Sequence, residues 1–149
     1  MLLASPAPAR ADLTAFLGVN GQPSNRAVTG VSGGFGLLIV GFEVEYARTR
    51  EDELTDAPAL TTGMFNVLLQ TPFAVSGVQV YGTLGAGGYR ERLGEVHQVT
   101  HVATNVGGGV KLTLVGPLRL RLDYRVFLLR GAPLHDKPQR FYAGLNLGF

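Results

Sequence analysis

His97, His101 and His135 are the three histidines of the chain, and with the serines and threonines they are the first side chains to test for catalysis or metal binding. The stretch "GEVHQVTH" places His97 four residues before His101, with Glu95 and Thr100 alongside. On a helix that spacing would bring two imidazoles together as ligands. Here the segment reads as extended, no third ligand is evident, and solvated loop histidines are expected. A hydrolase working on lipid would need His and Ser at period-two spacing on one outward face. Ser5, Ser24, Ser32 and Ser76 all lie far along the chain from the histidines. "GAGG" (Gly85 to Gly88) is followed by no Lys-Ser/Thr pair and no helix, so it does not read as a phosphate loop. "EDELTD" reads as an acidic, solvated loop. There are no cysteines, which removes thiolate metal sites, disulfides and a cysteine nucleophile. No catalytic residue, metal site or cofactor is expected, and the chain is not expected to be an enzyme.

The charged residues with a regular arrangement lie elsewhere. In "GPLRLRLDYRVFLL" (Gly116 to Leu129), Leu118, Leu120, Leu122, Tyr124, Val126 and Leu128 share one face of an extended chain. Arg119, Arg121, Asp123, Arg125 and Phe127 share the other. "GFEVEYARTR" has the same form, with Phe42, Val44 and Tyr46 on one face and Glu43 and Glu45 on the other. Such strands place either their charges or their apolar side chains in the interior.

Strands of this kind account for most of the chain. Period-two runs bounded by turn residues predict eight: Asp12 to Asn20, Gly30 to Ile39, Phe42 to Arg50, Leu60 to Gln70, Val78 to Tyr89, Thr100 to Leu114, Leu118 to Leu129 and Phe141 to Phe149. Most have about the 9–11 residues a tilted strand needs to cross a bilayer. No helical stripe appears, and no segment reaches the ~18 consecutive apolar residues of a membrane helix. Within a membrane, only closed strands would satisfy this backbone.

The links alternate in kind. Those at residues 20–29, 51–59, 90–99 and 130–140 are longer and polar, while "VG", "TPFAVSG" and "VGP" are short or less charged. Outer-membrane barrels have this asymmetry, with short periplasmic turns and longer external loops.

Composition points the same way. Charged residues make up 16% of the 149, below the ~25% of soluble domains, and there are 21 glycines. Gly34 and Gly36, Gly85 and Gly87, Gly107 and Gly109, and Gly144 and Gly148 share the parity of the charges. Small residues there would leave room for arginines, Tyr81, Tyr142 and Phe16. The opposite parity carries Leu13, Leu17, Phe35, Leu37, Phe65, Leu69, Leu145 and Leu147. A barrel with an apolar outside and a charged inside is inverted relative to a soluble one. A soluble ligand-binding cup would need larger apolar residues within.

In a closed barrel of eight, the third and seventh strands lie opposite each other, and long side chains fill the interior. Arg119, Arg121, Arg125 and Lys111 are then expected to face Glu43, Glu45 and Asp123. Enclosed charges must be paired to be tolerated. Tyr46, Tyr124, Phe141 and Phe149 are expected near strand ends as an aromatic girdle. The formal charge of +2, with no basic cluster interleaved with aromatics, argues against nucleic-acid binding.

At the start, Ala9-Arg10-Ala11 has the small-x-small form of a signal-peptidase site. Residues 1–11 therefore read as the remnant of an export signal, and residues 12–149 as the barrel domain.

On these patterns, and on the ending "FYAGLNLGF", the chain resembles the small eight-stranded outer-membrane proteins, the group of the outer membrane protein A transmembrane domain, outer membrane protein X and the opacity proteins. The resemblance implies an all-β, eight-stranded antiparallel up-and-down transmembrane barrel in a Gram-negative outer membrane, with periplasmic termini. It implies that Phe141, Ala143, Leu145, Leu147 and Phe149 form the signal read by the barrel-assembly machinery. Outer-membrane lipid and lipopolysaccharide are the implied surroundings. The function expected is structural or interactive, adhesion or envelope integrity, through the four external loops. A narrow channel and a lipid A-modifying enzyme are the alternatives from other classes.

Overall fold

The computed structural model describes residues 10–21, 26–51, 54, 58–72, 75–94, 97–131 and 137–149, the side chains of His97 and Val99 excepted. Eight strands occupy most of this: β1 (Arg10–Asn20), β2 (Arg26–Leu37), β3 (Val40–Thr49), β4 (Ala59–Gln70), β5 (Val78–Leu93), β6 (His97–Val115), β7 (Leu118–Leu129) and β8 (Gln139–Gly148). Each pairs antiparallel with the next, and β1 pairs with β8 to close the barrel. Closure leaves no free sheet edge.

The two faces differ as the alternation requires. Along β3, Glu43, Glu45, Ala47 and Thr49 are buried, while Val44, Tyr46 and Arg48 are exposed. Large apolar side chains cover the outside, with Leu17 68% and Leu69 64% exposed. Arg121 and Arg125 are fully enclosed. The barrel is thus apolar outside and charged inside.

Glycine makes the interior possible at particular points. A Cβ on Gly107 would collide with the Tyr124 carbonyl and the Arg125 side chain, and one on Gly109 with the Leu122 carbonyl and the Tyr81 hydroxyl. The bare inner wall of β6 is therefore the space that Tyr81 and Arg125 occupy. Gly116, at φ +53°, makes the tight β6–β7 turn just before Pro117.

Several boundaries differ from the sequence expectation. β1 begins at Arg10, two residues before the strand start expected at Asp12, and the Ala11 amide bonds to the Phe149 carbonyl. The β2–β3 turn is Leu38–Ile39, not the "VG" that follows, which opens β3. The loop expected at 20–29 shortens to residues 21–25 because β2 starts at Arg26. The loop expected at 90–99 shrinks to 94–96, since β5 and β6 run on as a hairpin. The physical reason is visible in β5. Tyr89 and Glu91 are buried and Arg90 and Arg92 exposed, so the inside–outside alternation continues through residues whose charge resembled a loop. The other two long connections span residues 50–58 and 130–138. Tyr124 stands in the middle of β7 instead of near its end, beside Phe141. Tyr46, Phe141 and Phe149 are exposed on the outer face.

Candidate functional site

The centre of the lumen is a layer of ion pairs. Arg121 and Arg125 extend from β7, and Glu43 and Glu45 from the opposite strand β3. Arg121 Nη1 donates to Glu43, and its Nη2 lies 3.3 Å from Asp123 Oδ2. Arg125 donates from Nη1 to Glu45 Oε2 at 2.8 Å, from Nη2 to Glu43 Oε1 at 3.2 Å and from Nε to Asp123 Oδ1 at 2.8 Å. These geometries use the forked donors of guanidinium, which a lysine ammonium does not have.

Neutral groups complete the layer. The Tyr81 hydroxyl donates to Asp123 and accepts from Arg121 Nε at 2.8 Å. Ser32 donates to Glu43 Oε2 at 3.0 Å, and Asn66 Nδ2 to Glu43 Oε1 at 3.3 Å. Asn105 in turn donates to Asn66 at 2.9 Å. The Arg121 guanidinium also lies 4.9 Å from the centre of the Tyr81 ring. A buried charge layer of this size is tolerable only because its carboxylates are shared among several donors.

The partners differ in part from those expected. Lys111 and Arg119 do not reach Glu43, Glu45 or Asp123. Lys111 Nζ pairs instead with Asp12 Oδ2 at 2.7 Å, and Arg119 Nη2 lies 3.6 Å from the same oxygen. Arg119 also donates to Gln79 at 3.4 Å. The strand positions explain this. Lys111 and Arg119 lie nearer the terminus end of β6 and β7, where Asp12 enters from β1. The third cation of the central layer is Arg140, which donates to Glu45. Sequence reading left Arg140 in a loop. Its signal was its even spacing from Tyr142, Gly144 and Asn146, which are lumenal too. The centre therefore holds Arg121, Arg125 and Arg140 against Glu43, Glu45 and Asp123, three charges of each sign.

On the terminus side of this layer is a cavity of about 680 Å³, lined by Arg10, Asp12, Gln70, Gln79, Lys111 and Arg119 among others and reaching Glu43. Toward the loops, Phe16 stacks on Tyr142 with ring centres 4.0 Å apart, and Arg140 lies over both and over Phe127. Leu60, Met64, Tyr89, Ala103, Phe127 and Leu129 pack beyond them. The lumen thus runs from a polar vestibule through a charged layer to an apolar layer, with buried Asn20, Arg26, Thr49 and Glu91 at the loop end.

His101, the one histidine whose side chain is described, takes no part in this arrangement. His101 is exposed at the loop end, accepts from the Val102 amide at Nδ1 and packs on Gly131. His97 lies on the same extended strand, its backbone about 13 Å away along it. His135 lies outside the described residues. Ser32, buried on Glu43, and Ser76, in the β4–β5 connection, are both remote in the chain from His101. The residues expected to form the assembly signal, Phe141, Ala143, Leu145, Leu147 and Phe149, are all exposed, and the first four lie on the outer face of β8.

No family model and no curated protein matches the sequence. Solved structures do. The N-terminal β-barrel domain of Pseudomonas aeruginosa OprF matches with a TM-score of 0.70 at 14% identity, over 94% of this chain and 97% of that one. Neisserial surface protein A matches with a TM-score of 0.65 at 16% identity, over 95% and 96%. The outer membrane enzyme PagL matches with a TM-score of 0.54 at 11% identity, over 91% and 98%. At these identities the likeness establishes the fold. The chain has the eight-stranded barrel fold of small outer-membrane proteins, a fold that carries different functions.

Proposed function

We propose that this chain is an integral protein of a bacterial outer membrane, held in shape by its lumenal ion layer and acting through its external loops in adhesion or envelope integrity. The observation that carries the reading is the inversion of the barrel: leucine and phenylalanine outside, paired charge inside. Water would penalise that exterior heavily, whereas lipid would not. The start of β1 and the end of β8 share one end with the two-residue β2–β3 and β6–β7 turns and the β4–β5 connection at 71–77, so in this reading that end is periplasmic and the two longest connections, 50–58 and 130–138, face outward with the shorter ones at 21–25 and 94–96. The outward residues of β8 and Phe149 are then the surface offered to the assembly machinery. Lipopolysaccharide and other outer-membrane lipids surround the apolar band. Expression behind a signal peptide, followed by fractionation, tests this. Recovery in the outer membrane, extractable only by detergent and with heat-dependent gel mobility, is expected. Recovery in the soluble periplasm would overturn it.

The 680 Å³ vestibule gives one observation in favour of a narrow channel, because it ends on ion pairs that would have to part for a path to open. Planar-bilayer recordings without discrete conductance would dispose of that reading. A lipid A-modifying activity draws only on shared fold.

A further inference from the structure

Most of the outer wall is uncharged, and its exposed cations gather at the loop end. Arg48 and Arg50 stand on or just beyond β3, Arg90 and Arg92 on β5, and all four are exposed. The strand register puts Arg48 opposite Thr61 and Thr61 opposite Arg90, so one cross-strand row reads Arg48, Thr61, Arg90, Thr100. Two strand spacings separate the arginine backbones by about 10 Å. Two long guanidinium side chains can close on one small anion across a threonine at that distance. Among the described residues no carboxylate pairs with Arg48, Arg50 or Arg90. Glu51 Oε2 accepts from the Gly94 amide at 3.1 Å, and Arg92 Nε donates to the Gly94 carbonyl at 3.2 Å.

The surface directly toward the barrel middle is apolar. The next outward row is Tyr46, Gly63, Gly88, Val102, and the one after it Val44, Phe65, Ala86, Thr104. Tyr46, Val44 and Phe65 are exposed. The arginines thus mark the border of the apolar band on one side of the barrel. At the corresponding border β1 and β2 carry Val19 and Thr29, and β8 carries Phe141; Arg130 follows β7. A ligand matching this surface has an anionic head and an apolar body. Paired guanidiniums favour phosphate, which accepts two parallel hydrogen bonds from each.

We infer that the outer face of β3–β5, centred on Arg48 and Arg90, binds the phosphate headgroup of an anionic membrane lipid, with its acyl chains against Tyr46, Val44 and Phe65. This deepens the outer-membrane reading and rests on it. The folded protein in detergent micelles, given phosphatidic acid or phosphatidylcholine and examined by native mass spectrometry, provides the test. The wild type is expected to retain phosphatidic acid about tenfold over phosphatidylcholine, the scale of one charge-assisted hydrogen bond. Arg48→Gln/Arg90→Gln is expected to abolish the preference, Arg48→Lys/Arg90→Lys to keep only the part that charge alone supplies, and Arg10→Gln, at the other end, to leave it intact. Heat-dependent gel mobility establishes that each variant is folded, since these side chains lie outside the lumen. Equal retention of both lipids by the wild type, or an unchanged preference in the glutamine variant, would overturn the inference. Displacement by millimolar inorganic phosphate would also overturn it and assign the row to a soluble anion. A wild type recovered as a soluble periplasmic protein would instead sink the outer-membrane reading itself.

Discussion

Replacing Arg121 by Gln removes a cation that two lumenal carboxylates share. Arg121 is fully enclosed and donates to Glu43, Asp123, Tyr81 and Thr14. Glutamine keeps an amide but carries no charge. Glu43, Glu45 and Asp123 would then face only Arg125 and Arg140, leaving one uncompensated negative charge inside. Removing one partner of a buried pair costs about 3–5 kcal/mol. The lower end applies here, because Glu43 keeps Arg125, Ser32 and Asn66, and Asp123 keeps Arg125 and Tyr81. A loss of about 3 kcal/mol is therefore expected. Adding Glu43→Gln restores two charges of each sign, so the double variant should be more stable than the sum of the single losses by about 1–3 kcal/mol. The chain has no tryptophan, so urea unfolding in micelles is followed by far-UV circular dichroism and by gel mobility before and after heating. A loss below about 0.5 kcal/mol, the range of an ordinary surface substitution, would refute the reasoning. So would strict additivity in the double variant.

Three further changes probe other parts of the lumen by the same unfolding measurement. Lys111→Gln should cost no more than about 1 kcal/mol, because Asp12 is partly solvated and keeps Arg119; a loss as large as that of Arg121→Gln would place the two groups in one network. Gly107→Ala should cost about 1–3 kcal/mol through collision with Tyr124 and Arg125, whereas Gly63→Ala, on the open outer face, should be neutral or stabilising by up to about 1 kcal/mol. Equal effects would mean that the inner wall of β6 is not close-packed. Phe16→Ala should cost about 3–5 kcal/mol by removing the ring that stacks on Tyr142 and lies under Arg140; a loss under about 1 kcal/mol would show the stack to be loosely held.

How legible the barrel was depended on where the alternation was clean. β7 was read with its observed bounds because its leucines and arginines alternate without interruption. β5 was cut short at Tyr89 because Arg90, Glu91 and Arg92 looked like a polar loop, although Glu91 faces inward. Arg140 was missed for the same reason at the start of β8. Asp12 is legible as the first residue of a strand, but nothing local indicates that it takes Lys111 and Arg119, the former 99 residues away.

The sequence by itself determined which face of each strand is inside. A period of two assigns each side chain to one face, and charge on one parity with leucine on the other states the environment of both. Which charges meet was decided only by the tertiary structure. Contacts across a lumen depend on strand tilt, on the register of every pair and on how β1 closes against β8, and none of these is encoded in a single strand. That closure brings Arg140 to Glu45 and Asp12 to Lys111, and separates one apparent network into a buried layer of six charges and a partly solvated group at the mouth.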